Sequence, residues 1–441
     1  MTDPAAGRRL ILAAAVAGLI VRLAFGLLYW VHKPLTHDEG EYLALAQSVA
    51  AGRGFVYDAS HETGTAQQFG RAPVYPLFLA LVGAAPDEHG AAPVRVKVAQ
   101  SIVGAIGVGL IGLLARRVAG ARAGVVAAAI AAVYPPLVWI CAYVLSEALY
   151  STLALLTALL LDAALDRAGG LTERGGSGRA LTAAAGLTAG LAILVRPAML
   201  VFLPLAALWL IGHRRPSLAA MLVVTSLATI TPWTVRNFRV YGTFVLIASE
   251  GGVTFWTGNH PLARGEGDLA ANPDIKIAEL AFRGAHPGLT AEQLEPLYYR
   301  DALHHIVRHP VWWLGLLAKK AFYTIVPIGP SYTLHSTRYL ATSVASYLLL
   351  LPLAAAGARA WWRAGRRPEA LFLLAASAVI VGLVFFPQER FRIPVIDPAL
   401  IVCAAIGCAQ RVNSACGPRE ESESSSAAAR ASGGGAPRAF K

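Results

Sequence analysis

Apolar runs of membrane-spanning length recur along almost the whole chain, and nothing else in the sequence limits its fold as strongly. About twenty apolar residues cross a bilayer's hydrocarbon core as a helix, which satisfies its backbone polar groups without water. Leu10 to Trp30 is the first such run, and further spans are predicted at about 94–115, 123–138, 143–161, 180–195, 198–212, 217–234, 339–358, 369–386 and 393–410. Composition agrees, with 56% of the 441 residues apolar, 15% charged and a mean hydropathy of +0.54. Soluble domains lie nearer roughly 45–50% and 25%. The chain is read as an all-α polytopic membrane protein, a bundle of about ten transmembrane helices with interfacial helices and loops.

Charge sets the expected orientation. Arg8 and Arg9 precede a run longer than a signal peptide's and followed by no small-residue cleavage site, which reads as a retained first helix. Short links between alternate spans carry Arg116, Arg117 and Arg122, then Arg167, Arg174 and Arg179, then His213, Arg214 and Arg215. Positive short links mark the cytoplasmic side. Both termini are therefore expected inside, with Arg359, Arg363, Arg366 and Arg367, while segments 31–72 and 235–337 face outward. Within these, residues 39–51 predict an interfacial amphipathic helix, 73–85 an interfacial or re-entrant piece, and Phe244-Val245-Leu246-Ile247 some β character. Pro310 to Val326 is a doubtful crossing, because Lys319-Lys320 interrupts it. Residues 1–410 form one membrane domain, and 411–441 a low-complexity cytoplasmic tail expected to be disordered.

Several functions are set aside by pattern. The formal charge of +12 does not form a basic stripe with interleaved aromatics, so it points to an anionic membrane surface and not to nucleic acid. Four cysteines, Cys141, Cys403, Cys408 and Cys416, show neither a disulfide framework nor metal-ligand spacing. Gly107-Val108-Gly109-Leu110-Ile111-Gly112 matches a dinucleotide fingerprint but lies mid-span, which favours small-residue helix packing. His304, His305 and His309 read as one face of an interfacial helix.

Chemistry is concentrated at span ends. His37-Asp38-Glu39-Gly40-Glu41-Tyr42 directly follows the first span, and Glu147 opens the fourth. Carboxylates at the membrane's edge either lock helix ends in salt bridges or share a cavity for general-base work. A divalent cation fits between Asp38 and Glu147 only if the two converge; the metal is otherwise unknown. Arg71, Arg236 and the pair Arg390 and Arg392 stand at outward span ends, where forked guanidinium donors either snorkel to head groups or bind a phosphate.

In chain order, Asp38-Glu39 with Tyr42, Gly52-Arg53-Gly54-Phe55, Arg71-Ala72-Pro73-Val74-Tyr75-Pro76, Ser146-Glu147, Arg196-Pro197, Pro232-Trp233-Thr234-Val235-Arg236-Asn237, Gly258-Asn259 and Arg390-Phe391-Arg392-Ile393-Pro394 resemble the motifs of GT-C membrane glycosyltransferases. The likeness is to bacterial relatives of protein O-mannosyltransferases and of the lipid A aminoarabinose transferase, over roughly residues 10–410. It implies transfer of a sugar from a polyprenyl-phosphate donor to a hydroxyl of a lipid, glycan or protein acceptor, outside the plasma (inner) membrane and usually with inversion. It also implies Asp38 as base with Glu39 beside it, and Glu147 as the acid on the later span. Arg71, Arg236, Arg390 and Arg392 would hold the donor phosphate, and Tyr42, Tyr75, Asn237 and Asn259 would contact substrate. The rival reading is a secondary transporter or lipid flippase, which should show internal repeats and midplane polar groups; here the charged motifs cluster at one face.

Overall fold

The structure, a computed structural model, describes residues 4–56, 71–84, 90–169, 175–265, 272–326, 337–365 and 369–415. Parts of both polar segments, Arg174, Arg366, Arg367 and the tail from residue 416, Cys416 included, lie outside the described residues. Among the described residues the elements are helices, and one isolated antiparallel bridge joins Pro34 to Ala91.

Helices Ala5–Tyr29, Glu147–Ala168, Ser177–Val195, Pro216–Tyr241 and Leu340–Arg363 are each long and apolar enough to cross a membrane. Val94–Val133 has 40 residues and is folded back on itself. Its helical geometry fails at Ala119 and at Gly120, whose φ of 87° is open to glycine at little steric cost. A Cβ on Gly112 would stand 3.1 Å from the Gly124 carbonyl oxygen, so the two arms touch through small residues. The glycine-rich run through Gly112 thus serves helix packing. Gly186 and Gly190 meet Thr225 and Thr229 in the same way, and Gly357 meets the Cys403 backbone. Pro197–Gly212, Ala370–Val384 and Ile396–Ala409 are shorter apolar helices of the same bundle.

Cross-bundle contacts fix which ends lie together. A Cβ on Gly7 would stand 3.0 Å from that of Ala121, Arg117 pairs with Asp166 at 2.8 Å, and the Ala370 N–H donates to Asp162 at 2.9 Å. The N-terminal helix start, the hairpin turn and the basic links therefore share one end. At the opposite end Lys97 donates to the Trp30 carbonyl at 2.7 Å, and the acidic motif begins just beyond.

His37–Ala50 starts at a capping box, in which the Thr36 N–H donates to Glu39 at 2.8 Å. Val74–Val82, nine residues, is too short to span and stops at Gly83, φ 70°. The β character expected at Phe244–Ile247 is absent. The carbonyls of Val245, Leu246 and Ile247 accept instead from Asn237, Thr234 and Trp233, which tie the segment to the end of Pro216–Tyr241. Beyond it, Trp256, Ile275, Leu294, Tyr298 and Leu316 form a second, smaller core among helices Gly251–Asn259, Pro273–Gly284, Ala291–Arg308 and Pro310–Ile325. The last of these has 16 residues. At 1.5 Å per residue it reaches only about 24 Å, less than a bilayer core of roughly 30 Å. Its buried Lys320 donates to Asn259 and to the Leu383 carbonyl, each at 3.1 Å, capping the carbonyl end of Ala370–Val384.

Candidate active site

Asp38 enters the site from the first turn of His37–Ala50. Its Oδ2 lies 2.6 Å from Arg390 Nη1, and its Oδ1 3.6 Å from Arg71 Nη2. Arg390 stands on the single turn Glu389–Arg392, and its Nε is 4.0 Å from Glu147 Oε1. Glu147, 2% exposed, also pairs with Arg196 Nη1 at 2.5 Å. Two carboxylates far apart in sequence therefore converge on one guanidinium. Arg71 extends the network to Glu41 and, at 3.4 Å, to Glu250, and covers the Tyr42 ring at 4.7 Å.

The electrostatics follow from this alternation of charge. Burial pushes the Asp38 carboxyl's pKa up, but Arg390 and Arg71 outweigh it and hold the group at about 2. Asp38 is thus a carboxylate at any pH near neutrality, and with 29% of its side chain exposed it stays within reach of solvent. Glu147 Oε2 is buried with no hydrogen-bond partner. Leaving such an acceptor unsatisfied costs about 1–3 kcal/mol or more.

The other expected site residues are placed differently. Glu39 accepts from the Thr36 N–H and hydroxyl through Oε2, at 2.8 and 2.9 Å, and from the Val144 N–H through Oε1 at 2.7 Å. Its carboxylate holds the helix start against the Val144 loop. Arg392 pairs with Asp397 at 2.8 Å and lies over the Tyr347 ring at 3.8 Å, which removes it from the Asp38 network. Arg236 sits against Trp233, Phe55 and Tyr241, with its guanidinium 4.7 Å from the Trp233 ring. The buried Tyr75 hydroxyl donates to Gln100 at 2.8 Å; Asn237 binds the Val245 and Ile247 carbonyls, and Asn259 those of Phe255 and Val384. These three are framework groups, because burial obliges each to find an internal partner. Tyr42 remains beside the site, under Arg71.

Glu41, Arg196 and Glu250 belong to the network without having been singled out as site residues. Arg196 carries the clearest signal, a lone cation between two apolar runs and directly before a proline. The His305 and His309 rings lie 4.4 Å apart, tilted by 31°. Among the described residues no three His, Cys, Asp or Glu side chains are grouped to hold a metal ion. Arg390 stands between Asp38 and Glu147.

Residues 70–235, which include Arg71, Glu147 and Arg196, match a family model described as dolichyl-phosphate-mannose-protein mannosyltransferase. Among solved structures, the oligosaccharyltransferase AglB from Archaeoglobus fulgidus, in complex with an inhibitory peptide and a dolichol-phosphate, aligns at TM-score 0.54 and 15% identity, over 96% of this chain and 54% of that one. The A. fulgidus enzyme tethered with an acceptor peptide aligns at 0.57 and 15%, over 92% and 50%. ArnT from Cupriavidus metallidurans bound to undecaprenyl phosphate gives 0.41 at 15%, over 94% and 80%, too distant a likeness to argue from. No curated protein matches the chain. The chain spans about half the length of the solved oligosaccharyltransferases. Its fold is the GT-C membrane glycosyltransferase fold that the motifs imply.

Proposed function

We propose that the chain transfers a sugar from a polyprenyl-phosphate-linked donor to an acceptor hydroxyl on the outer side of the membrane, inverting the anomeric carbon. The observation that carries this reading is Arg390 shared between Asp38 and Glu147, with Arg71 on the other side of Asp38, at the polar end of a GT-C bundle. The donor's phosphodiester would draw Arg390 and Arg71 away from Asp38, since guanidinium forks match phosphate oxygens. The two arginines would then stabilise the charge that builds on the leaving phosphate oxygen. Asp38, freed from its partners, would accept the acceptor's proton as the hydroxyl oxygen bonds to the anomeric carbon and the carbon–phosphate oxygen bond breaks. Arg196 would hold Glu147 in place behind Arg390. The prenyl chain stays in lipid beside the spans, and helices 251–325, joined to the site through Glu250, would meet the lipid, glycan or protein acceptor.

The test is transfer of radiolabelled sugar from a panel of polyprenyl-phosphate donors by membranes carrying the wild type or Asp38→Asn. Wild-type transfer should fall by about 10²–10⁴-fold in the variant, the loss typical of a missing general base. Equal transfer by both would move the base to Glu39 or Glu147. Labelled lipid crossing the bilayer with no transfer would replace the enzyme by a flippase.

A further inference from the structure

Lys320 is fully buried, and among the described residues no carboxylate pairs with it. A buried ammonium persists only where oriented dipoles stand in for a counter-ion. Its Nζ donates to Asn259 Oδ1 and to the Leu383 carbonyl, each at 3.1 Å, and reaches the Val384 carbonyl at 3.5 Å. Three donors meet three oxygens, and both carbonyls belong to the negative end of helix Ala370–Val384.

The contact joins the outward helices to the bundle. Asn259 ends helix Gly251–Asn259, accepts a second bond from Trp313 Nε1 at 3.1 Å and donates to the Val384 carbonyl at 2.9 Å. A Cβ on Gly258 would overlap the Phe385 carbonyl oxygen, so backbone meets backbone there. From this junction only Phe385-Phe386-Pro387-Gln388 lead to the turn Glu389–Arg392. Each step is held. Phe385 stands edge-on to Phe255 at 5.9 Å, the Phe386 ring lies 6.0 Å from that of Phe391, and Gln388 accepts from Arg390 Nε at 2.8 Å. The end of Ala370–Val384 is therefore the base from which Arg390 reaches Asp38.

We propose that Lys320 is a positioning residue, whose protonated side chain ties the outward helices to that helix end and so holds Arg390 where a phosphodiester meets it. The proposal rests on the glycosyl-transfer reading for the role of Arg390. A neutral amine has two N–H donors and a lone pair, so loss of the proton leaves one of the three oxygens unserved and turns the lone pair toward it. Helices Gly251–Asn259 and Ala370–Val384, which face Lys320, carry no ionisable side chain. The ionisable groups nearest in sequence are His260 after the first, Lys319 and Tyr323 on its own helix, and Glu389, Arg390 and Arg392 on the turn beyond. Burial is the cause that brings the ammonium's pKa down to about 7. That lies below the ordinary value of about 10.4. The tie is thus closed below pH 7 and loosens as pH rises through it.

The experiment uses the full chain in lipid nanodiscs and reads the dissociation constant of undecaprenyl methyl phosphate on both sides of pH 7. This diester keeps a single negative charge throughout, so the probe itself does not titrate. The wild type should bind it about tenfold more weakly on the alkaline side, the scale of one weakened guanidinium–phosphate contact. Lys320→Met, similar in length and without donors, should lose that step. Glu295, which burial brings to about 7, titrates in the same range, so the step is assigned by its loss in the variant and not by its position. Asn259→Asp keeps an oxygen for Lys320 and adds a charge that favours the ammonium, so the step should move to higher pH. A wild-type affinity that does not change with pH, a full-sized step in folded Lys320→Met, or an unmoved step in Asn259→Asp overturns the proposal. A merely structural lysine would lower the yield of folded variant and leave the step in place. Radiolabel transfer by the same preparations separates the two readings. A Lys320-dependent step in binding without transfer from any donor keeps the positioning role and removes the transferase, whereas Asp38-dependent transfer with binding indifferent to Lys320 does the reverse.

Discussion

Arg390 and Arg392 lie two positions apart on one helical turn, and the difference between them decides the site. At about 100° per residue they point roughly 200° apart, so one can face Asp38 only if the other faces away, here toward Asp397. The motif makes both candidates for a phosphate, but which one turns to the site is set by packing across the bundle and is not written in the local sequence. Asp38 and Glu39 divide in the same manner, one to Arg390 and one to the Val144 N–H. The low pKa of Asp38, about 2, gives a pH prediction. A carboxyl whose folded pKa lies below its ordinary value, about 3.9, stabilises the fold above that value, and the contribution is lost as pH falls through the folded pKa. With donor absent, Asp38 therefore stays ionised, and kcat/KM should show no acid limb from it between pH 5 and 8. In the donor complex, where phosphate competes for Arg390 and Arg71, the limb in kcat should lie at higher pH than that in kcat/KM. An acid limb near pH 6 in kcat/KM would put the base elsewhere.

At the scale of elements, most boundaries are legible because they follow from hydropathy and capping chemistry. The apolar runs predict the spans, and Thr36 with Glu39 three positions on is a capping box readable by eye. The segment 244–247 misleads because its apolar β-branched residues suggest a strand, while the side chains that claim its carbonyls come from a helix end just before it. Glu39 tests how the element carries the site. Glu39→Gln keeps the shape but leaves only one carbonyl oxygen for the three donors at Thr36 and Val144, so stability should fall by about 1–3 kcal/mol. Calorimetry or thermal unfolding of the purified protein should show the loss, with transfer reduced only through displacement of Asp38. Transfer abolished at an unchanged midpoint would make Glu39 a base after all. Packing by small residues carries a companion expectation. A Cβ at Gly190 would stand 2.5 Å from the Thr229 Cβ, so Gly190→Leu should force Ser177–Val195 off Pro216–Tyr241 and lower the yield of folded protein in membranes. Normal yield and midpoint would show that the two helices can separate without loss.

For the whole molecule, the sequence carries the bundle and the side of its charges but not the convergence of Asp38, Glu147, Arg196 and Arg390. Those residues come from four stretches of chain, and their meeting depends on how the spans are arranged around one another, which hydropathy does not encode. What the bundle does preserve is polarity. Gly7, Ala121, Asp166 and Ala370 mark one end, rimmed by basic links, and the Asp38 network lies at the other. Positive short links are retained in the cytoplasm, so the network is expected to face outward. The expectation is checked with single cysteines introduced into a chain whose native four are replaced. His37→Cys, whose native side chain is 84% exposed beside Asp38, should react with a membrane-impermeant maleimide in intact cells. Arg122→Cys, in the basic link beyond the hairpin turn, should react only after the membrane is permeabilised. The opposite pattern would turn the site inward and remove the outward acceptor from the proposed reaction.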